Sequence, residues 1–468
     1  MNPKLIILSC LFLITSQLFA QNTQMWATAE MGGTYAGGTL FSINSDGSDF
    51  NVAFNFDSWA GYRPMGNLFF ASDSNVYGTC FYGGYLNSCV IYRYSPEFAA
   101  YTTLHDFDIV HGDYPTSGMV EENGILYGNT SSGGPDLCGV IYSWNISTGE
   151  YYDLHDLSSP FGCSPYSAPI AAADGNLYGT TQYGGAYDAG VIYSFNPSGN
   201  VYTDIYDFDS SNESGNPIGS LLQADDGMLY GMCHDGGTYG QGFIYRYDLV
   251  NSTFENLHDF DGTNGAHPKG GLIQGSDGIF YGLTTEGGQY NSGTIFSFDP
   301  DTYTKLFDFQ VSDGVHPQGN LMQAGHLLCG TAYLGGDYNH GTLFNFNMLT
   351  DSFTKILDLD MFNTGAQPTG GFITLGNDIA SQIHSPGIDE VNIFPNPTCD
   401  VTICKTSLYN NEKIRITVCD LSGNQILSQQ LEIRNSQAKI DLSNVISGIY
   451  FLEISTANQS KILKLVKQ

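Results

Sequence analysis

Short runs of alternating apolar and polar residues fill most of the chain, and the same order of runs returns about every 50 residues. The stretch 278–299, GIFYGLTTEGGQYNSGTIFSFD, shows this unit clearly, with one run on each side of a Gly-Gly turn. Alternation is typical of half-buried β-strands, and no run has the period of about 3.6 residues that marks an amphipathic helix. The pattern therefore predicts an all-β chain up to residue 387.

Each unit divides into four short strands. In the unit that begins at Pro217 the strands read PIGSLLQA, MLYGMCHDGG, GFIYRYD and FENLHDFD. Asn-Gly or Asp-Gly separates the first two strands in several units, and these residues tolerate the positive φ of a tight hairpin. Four antiparallel strands in about 50 residues are typical of one blade of a β-propeller.

The number of blades follows from two landmarks. The Gly-Gly marker returns at spacings of 48 to 52 residues, at Gly32-Gly33, Gly83-Gly84, Gly133-Gly134, Gly184-Gly185, Gly236-Gly237, Gly287-Gly288 and Gly335-Gly336. A proline follows each fourth strand, at Pro64, Pro115, Pro165, Pro217, Pro268, Pro317 and Pro368. We therefore expect a seven-bladed, kelch-like β-propeller. A parallel β-helix is the alternative, but its rungs are usually much shorter than this period.

The two ends of the repeat region are incomplete in complementary ways. Residues 371–380 match a first strand and the start of a second, without a Gly-Gly turn. Residues 25–30, MWATAE, run into Gly32-Gly33 as a second strand that lacks its first. The last strand of the ring is therefore expected to complete the N-terminal blade.

Two stretches, LYGTTQYGGAYDAGVIYSFNP (177–197) and LHDFDGTNGAHPKGGLIQGSDGIFYGLTTEGG (257–288), resemble the GloVer tandem repeat of secreted bacterial proteins. The resemblance covers nearly all of residues 25–383. That family is recognised by its repeats, so the resemblance implies a fold and no particular activity.

Residues 388–468 are similar to the type A C-terminal sorting domain of the type IX secretion system. The matching elements are VNIFPNP (391–397), ITVCDLSGNQI (416–426), DLSNVISGIYFLEI (441–454) and KILKLVKQ (461–468). The motif positions are Pro395, Asn396, Pro397, Asp420, Gly423, Gly448 and Tyr450. The resemblance implies export by the type IX machinery, with cleavage of this domain and release or attachment to surface lipopolysaccharide. Its alternating strands independently predict a small β-sandwich.

The N-terminus reads as a secretory signal peptide. Residues 1–20 contain the basic Lys4, an apolar run from Leu5 to Leu13, and Ala20 before the mature start. A membrane anchor is the alternative, but the apolar run is short for a bilayer. We expect a signal peptide at 1–20, a propeller at 21–385 and a sorting domain at 386–468, and hence a secreted or outer-membrane surface protein.

Charge separates the propeller from the C-terminal segment. The whole chain has a net charge of −32, whereas residues 388–468 have eight acidic and eight basic residues. Residues 21–387 have 39 acidic residues against six Lys and Arg, a net charge of −33. So acidic a surface repels nucleic acid and excludes it as a partner.

Nine of the ten cysteines remain once the signal peptide is removed. An exported protein permits disulfides, but connectivity cannot be read from sequence. Cys80 and Cys89 flank one Gly-Gly hairpin, and Cys138 and Cys163 lie in loops of adjacent repeats, so these four are the candidates. No Cys/His spacing typical of zinc appears, and no metal site is predicted.

Repeats provide an internal control on candidate chemistry. His105, His155 and His258 share one repeat position that holds Tyr206, Phe307 or Leu357 elsewhere, which favours a packing role. The next position is Asn55 in one blade and Asp in the other six, which indicates a side chain that accepts backbone hydrogen bonds. No cofactor is predicted. Calcium binding by the loop 259–265, DFDGTNG, is the weaker alternative.

The candidate binding residues are aromatic. Tyrosines stand two positions after the Gly-Gly pair in five blades, at Tyr35, Tyr187, Tyr239, Tyr290 and Tyr338. Trp59 and Arg63 in the first proline loop could face the same ligand, as could His267 and His316, which precede the repeat proline. Aromatic rings with a polar edge stack on sugars and fill protein interfaces. The alternative is that each tyrosine folds over its own hairpin.

These observations favour non-catalytic binding of a glycan or a surface protein. No nucleophile elbow, zinc-protease, P-loop or dinucleotide motif is present, and no catalytic residue is predicted. The alternatives are a secreted carbohydrate-active enzyme, a hydrolase or lyase whose carboxylates and histidines lie within the repeats, and a purely structural surface protein.

Overall fold

The structure, a computed structural model, describes residues 23–375 except 87, 210–214 and 301. In the C-terminal segment it describes 392–394, 401–405, 413–419, 425–432, 437–443, 445, 448–455 and 460–467. The predicted signal peptide at 1–20 and the predicted boundary near residue 386 lie outside these ranges.

Seven four-stranded antiparallel sheets form the seven blades of the propeller. The first blade has β1 (Gln24–Ala29), β2 (Thr39–Asn44) and β3 (Asn51–Asn55), and is completed by β28 (Ile373–Thr374). The second has β4 (Tyr62–Phe70), β5 (Val76–Tyr82), β6 (Val90–Ser95) and β7 (Ala100–Asp106). The third has β8 (Val120–Glu122), β9 (Ile125–Asn129), β10 (Val140–Asn145) and β11 (Glu150–Asp156).

The fourth blade follows a 3-10 turn at Ser159–Phe161 and has β12 (Ile170–Ala171), β13 (Leu177–Thr181), β14 (Val191–Asn196) and β15 (Val201–Asp207). The fifth has β16 (Leu222–Gln223), β17 (Leu229–Cys233), β18 (Phe243–Asp248) and β19 (Thr253–Asp259). The sixth has β20 (Ile273–Gln274), β21 (Phe280–Thr284), β22 (Thr294–Asp299) and β23 (Thr302–Asp308). The seventh has β24 (Met322–Ala324), β25 (Leu327–Ala332), β26 (Thr342–Asn347) and β27 (Ser352–Asp358).

The two ends of the repeat region meet in one sheet. β28 pairs with β1 through Met25↔Thr374 and Trp26↔Ile373. At the centre of the ring, Gly370 lies beside Gly66 of the second blade, and a Cβ added to Gly370 would be 2.5 Å from the carbonyl oxygen of Gly66. The C-terminal end of the repeat region therefore packs against the start of the second blade. The predicted seven blades and the predicted closure of the ring are therefore confirmed.

The Leu-Tyr-Gly glycine of the second strand allows an aromatic ring from the third strand to lie against the backbone. Tyr193 covers Gly179 in this way, with its hydroxyl where a Cβ would be. In the first blade the corresponding residue is Ala27, which pairs with Phe41, a ring without a hydroxyl group. Gly282 and Gly330 face Phe296 and Phe344 in the same way, so the glycine makes room for an aromatic ring with or without a hydroxyl group.

The histidines of the fourth strand are packing residues, as predicted. His105 stacks on Tyr151 with ring centroids 3.8 Å apart, and His258 stacks on Tyr303 at 4.0 Å. Phe307 makes the same stack with Phe353 at 4.1 Å. Burial lowers the pKa of His105 to about 4 and also lowers the pKa of His258.

The neighbouring acceptor position also behaves as predicted. Asp207 accepts a hydrogen bond from the backbone N–H of Ala186 at 2.6 Å, and Asp358 accepts one from Asp337 at 2.8 Å. These donors follow the Gly-Gly pair, so the side chain pins the hairpin to the fourth strand. In the third blade the donor position is Pro135, which has no N–H. In the loop proposed for calcium, Asp261 accepts bonds from the N–H groups of Thr263 and Asn264.

One of the two candidate cysteine pairs is bonded. Cys138 and Cys163 form a disulfide across adjacent repeats. The pairing of Cys80 with Cys89 was wrong: both are buried free thiols. Cys80 lies opposite Val90 in the β5–β6 ladder, one position from Cys89, so the two side chains point to opposite faces. Cys89 instead contacts Asp113 at 3.2 Å.

Two further sheets form the C-terminal segment, as expected for a β-sandwich. One has β29 (Asn392–Phe394), β30 (Val401–Lys405) and β33 (Gln437–Asp441). The other has β32 (Gln425–Glu432), β31 (Lys413–Cys419), β34 (Gly448–Ser455) and β35 (Ser460–Lys467). Gly448 begins β34 and Tyr450 lies within it, whereas Pro395, Asn396, Pro397, Asp420 and Gly423 lie outside the described residues. Among the described residues, no helix is long and apolar enough to cross a membrane.

The buried histidines make stability depend on pH. Because their pKa is lowered only in the folded protein, the unfolded chain takes up protons first, and stability falls as pH drops from about 6.5 toward 4. The double variant His105→Phe/His258→Phe places at both positions the residue of Phe307. We expect it to lose less stability than the wild type between about pH 7 and pH 4.5, measured by urea unfolding. An equal loss in both proteins would contradict this account.

Candidate functional site

One face of the ring bears the loops that the sequence singled out. In an antiparallel four-stranded blade, the turn between strands two and three and the connection from strand four to the next blade lie at the same edge. Bridges between them confirm this, for example Cys163↔Tyr183 and Ala266↔Glu286. We call this side of the propeller the hairpin face.

The five predicted tyrosines are exposed on the hairpin face. Their relative exposures are 64% for Tyr35, 53% for Tyr187, 60% for Tyr239, 51% for Tyr290 and 60% for Tyr338. Trp59, in the first proline loop, is 76% exposed. Each of these residues is thus more than half exposed and available to a ligand.

Arg63 is not part of that exposed aromatic set. It forms an ion pair with Glu30, whose side chain is only 2% exposed. Its guanidinium also lies 5.7 Å from the ring centroid of Phe81. Burial alone would lower the pKa of Arg63, but the hydrogen bond and charge of Glu30 raise it above its usual value.

The ion pair between Arg63 and Glu30 is one instance of a contact that recurs between successive blades. The residue that ends the second strand of a blade lies beside the residue that precedes the next proline. Phe81 and Tyr114 occupy these positions one blade further and stack at 4.7 Å. The seven pre-proline residues all have left-handed φ between 52° and 58°, at Arg63, Tyr114, Ser164, Asn216, His267, His316 and Gln367. Such backbone conformations carry a strain of about 1 kcal/mol or more each and cluster at functional sites.

In the fifth blade the same contact brings together two histidines and a carboxylate. The rings of His234 and His267 lie 4.8 Å apart. Asp235 Oδ1 is 2.8 Å from His234 Nδ1 and 3.3 Å from His267 Nδ1. The other carboxylate oxygen, Oδ2, accepts a hydrogen bond from the Asn216 side chain at 2.6 Å. We call His234, Asp235 and His267 the histidine cluster.

The charges in the cluster follow from its surroundings. Burial lowers the pKa of His234, more than the charge of Asp235 raises it, which favours the neutral imidazole. Burial would raise the pKa of Asp235, but the hydrogen bond from Asn216 and the nearby imidazoles hold it below its usual value. A carboxylate beside a histidine whose burial favours the neutral imidazole is a metal-ligating or acid–base arrangement.

A cavity of about 340 Å³ opens in the centre of the ring, beside the cluster. Side-chain amides line it at Asn67, Gln182, Asn216, Gln318 and Asn320. Hydroxyl groups line it at Thr116, Ser117, Tyr166, Ser167, Ser220 and Thr369. Among the described residues that line the cavity no Asp or Glu is present, although the propeller is strongly acidic.

Lys269 is the one lysine or arginine among the described lining residues. Arg63, Arg246, Lys305 and Lys355 each form an ion pair with a carboxylate. In the part of the chain that the structure describes, no carboxylate pairs with Lys269. Its ammonium group is therefore open to a ligand in the cavity.

The sequence alone did not identify the cavity or the cluster. The prediction included His267 as a pre-proline residue, but not its contact with His234 and Asp235. Aligning the two residues before each Gly-Gly pair would have marked the cluster, because they are Gln182-Tyr183 in one neighbouring blade and Thr285-Glu286 in the other. That alignment would still not have shown that His267 contacts His234, because 33 residues separate the two in the sequence.

The Gloeobacter/Verrucomicrobia repeat matches the chain in overlapping copies over residues 14–166, 87–275, 153–310 and 219–379. The chain belongs to this repeat family. It is the GloVer family to which the sequence showed a resemblance, and the seven-bladed ring is the arrangement of its repeats in this member.

The secretion-system C-terminal sorting domain matches residues 392–468 of this GloVer repeat protein. The predicted resemblance to a sorting domain is therefore confirmed. The protein is secreted through the type IX secretion system and is attached to the cell surface. The secretion machinery is therefore a partner of the protein.

Two solved structures support the fold of the GloVer propeller. A putative 6-phosphogluconolactonase from Bacteroides fragilis aligns with a TM-score of 0.51 at 16% identity, over 75% of this chain and 98% of that one. The corresponding protein from Bacteroides uniformis aligns with a TM-score of 0.50 at 14% identity, over 75% and 99%. TolB from Acinetobacter baumannii aligns with a TM-score of 0.39 at 13% identity, and the chain spans 63% of its length. No curated protein matches the sequence.

The Arg63–Glu30 pair provides a test of the repeated contact. Replacing Arg63 by Gln, the residue at the same position before Pro368, leaves the buried Glu30 carboxylate without its cationic partner. We expect Arg63→Gln to destabilise the propeller by about 3 kcal/mol in denaturant unfolding. The double variant Arg63→Gln/Glu30→Gln should recover most of this loss, because no buried charge remains. A double variant as unstable as the single one would contradict the assignment.

Proposed function

We propose that this surface-displayed GloVer propeller is a non-catalytic binding protein that holds a glycan at the cavity on its hairpin face. The observation that carries the proposal is the chemistry of the cavity wall. It offers amides, hydroxyl groups and one lysine, in a propeller whose charged residues are mostly carboxylates.

The wall suits a neutral, polyhydroxylated ligand. Side-chain amides and hydroxyl groups both donate and accept, so they match the hydroxyl groups of a sugar. The cavity volume of about 340 Å³ lies within the range of roughly 300–1,000 Å³ typical of small-ligand sites. Tyr166, which is 39% exposed, adds an aromatic face on which a sugar ring can stack.

The exposed tyrosines extend this site outward. Tyr187, Tyr239 and Tyr290 follow the Gly-Gly pairs of three consecutive blades, the fourth to the sixth. The same three blades contribute Gln182, Asn216 and Lys269 to the cavity. A chain of several sugars held at the cavity would therefore run out over these rings.

Two further features of the protein belong to the proposal. Residues 1–20 would be the signal peptide and 386–468 the sorting domain, which leaves 21–385 as the displayed propeller. Surface lipopolysaccharide would be the attachment point after export. Because the propeller is so acidic, a neutral glycan ligand also avoids the repulsion that an anionic polysaccharide would meet.

A secreted carbohydrate-active enzyme is less well supported. Glycoside hydrolysis commonly needs two carboxylates on either side of the scissile bond. The described residues that line the cavity include no carboxylate, so the wall itself does not supply that pair. Product analysis in the binding experiment distinguishes the two functions.

The proposal is tested by glycan-array binding and polysaccharide retention with the full chain, with mass spectrometry of the same samples for products. We expect retention without products. Tyr166→Thr, which introduces the residue found at Thr116 and Thr369, should weaken retention roughly tenfold because it removes the stacking face. The triple variant Tyr187→Ala/Tyr239→Ala/Tyr290→Ala should weaken binding of longer chains more than of short ones.

The matched control is Phe98→Ala. Phe98 is 73% exposed in a turn between strands three and four, at the opposite edge of the blade. Its replacement should leave retention unchanged. Retention that survives Tyr166→Thr and the triple variant, or that falls equally with Phe98→Ala, would refute a site on the hairpin face.

A further inference from the structure

We propose that His234, Asp235 and His267 bind a divalent transition ion of the zinc type at the mouth of the central cavity. The site does not depend on glycan binding, since the three residues form it by themselves. The sequence predicted no metal site, because the three ligands come from two loops that the fold brings together.

The donor atoms already converge. One ligand atom from each residue lies within 4.8 Å of the other two. Two ligand atoms on one tetrahedral Zn²⁺, at about 2.1 Å each, are about 3.4 Å apart. His267 Nδ1 and Asp235 Oδ1 are 3.3 Å apart, and His234 Nδ1 and Asp235 Oδ1 are 2.8 Å apart. Both spacings to the carboxylate therefore lie within about 0.6 Å of the tetrahedral value, and small rotations of the two imidazoles would bring the third within range.

The carboxylate is held in place by a second residue. The Asn216 amide donates to Asp235 Oδ2 and leaves Oδ1 for the ion. Ligands of bound metals are commonly oriented by such outer hydrogen bonds. His267 Nδ1 also lies 3.0 Å from the carbonyl oxygen of His234, a contact that an ion would replace.

The set has an open side. The side chains of His234 and His267 are 21% exposed, and that of Asp235 is 41% exposed. Two imidazoles and one carboxylate with a free position form the ligand pattern of open zinc sites. The free position would face solvent at the cavity mouth, where water or a ligand oxygen can occupy it.

Comparison of the blades shows that the fold itself does not require histidine or aspartate at these positions. The pre-proline position is occupied by Arg, Tyr, Ser, Asn, His and Gln in different blades, and the end of the second strand varies as widely. His316, one blade further, has the same left-handed φ as His267 and the same contact with a carbonyl oxygen, that of Thr285 at 3.1 Å. It lacks the second histidine, since Thr285 replaces His234.

One neighbouring charge opposes the ion. Lys269 lines the same cavity as His234 and follows His267 by two residues, so its ammonium repels a cation bound there. The carboxylate of Asp235 counteracts this repulsion. Replacing Lys269 by Gln, the residue at the equivalent Gln318, should therefore tighten zinc binding.

The test measures Zn²⁺ binding to the purified full chain by isothermal titration, in about 1 mM Ca²⁺ and Mg²⁺ to occupy oxygen-only surface sites. We expect one Zn²⁺ per chain. His267→Gln should weaken it at least about tenfold, whereas His316→Gln should not change it. Co²⁺ in place of Zn²⁺ should give a visible absorption band in the wild type and His316→Gln, and none in His267→Gln.

Folding of each variant is checked by its urea midpoint without metal. If His267→Gln does not fold, His234→Gln replaces it, because Gln182 holds the same position one blade earlier. Equal affinity in His267→Gln and His316→Gln, no stoichiometric binding in the wild type, or unchanged affinity in Lys269→Gln would each overturn the site.

Discussion

The propeller depends on the pairing of its first and last strands. Two residue pairs, Met25↔Thr374 and Trp26↔Ile373, place the end of a 350-residue repeat region in the same sheet as its start. Without this pairing the first blade would have three strands and the ring two free edges. Every inner strand is then held at a fixed distance from the centre, which is what defines the cavity and places the loops of all seven blades on common faces.

A ring of near-identical blades separates scaffold from site. The buried rings of the third strands recur in every blade, and the glycines beneath them and the acceptor that pins the hairpin recur in most, because each blade packs against the next in the same way. The residues at the cavity mouth do not recur. Arg63 with Glu30, Phe81 with Tyr114, and His267 with His234 are an ion pair, a stacked pair and a pair of neighbouring imidazoles on the same backbone. Variation is therefore concentrated where the backbone itself does not need a particular side chain.

Charge also differs between the exterior of the propeller and its cavity wall. An acidic exterior keeps a displayed propeller soluble and unattractive to anionic polymers. The cavity wall departs from that composition, with amides, hydroxyl groups and a lysine that no carboxylate of the described residues pairs with. The tyrosines of the hairpin face lie outside it and remain more than half exposed. These two zones, polar within and aromatic around, are suited to a ligand that enters the cavity at one end and lies over the loops along its length.

The sequence by itself determined the strands, the seven blades, the closure and the sorting domain. Each of these follows from the local alternation of apolar and polar residues or from a motif, and the repeats show the same pattern several times. It also identified the exposed tyrosines, because hairpin tips are local. Only the tertiary structure decided which side chains meet. His234 and His267 are 33 residues apart, and Cys80 fails to meet Cys89 through a one-residue offset in register. Such contacts depend on the packing of strand ends against the following loop, which no local pattern encodes.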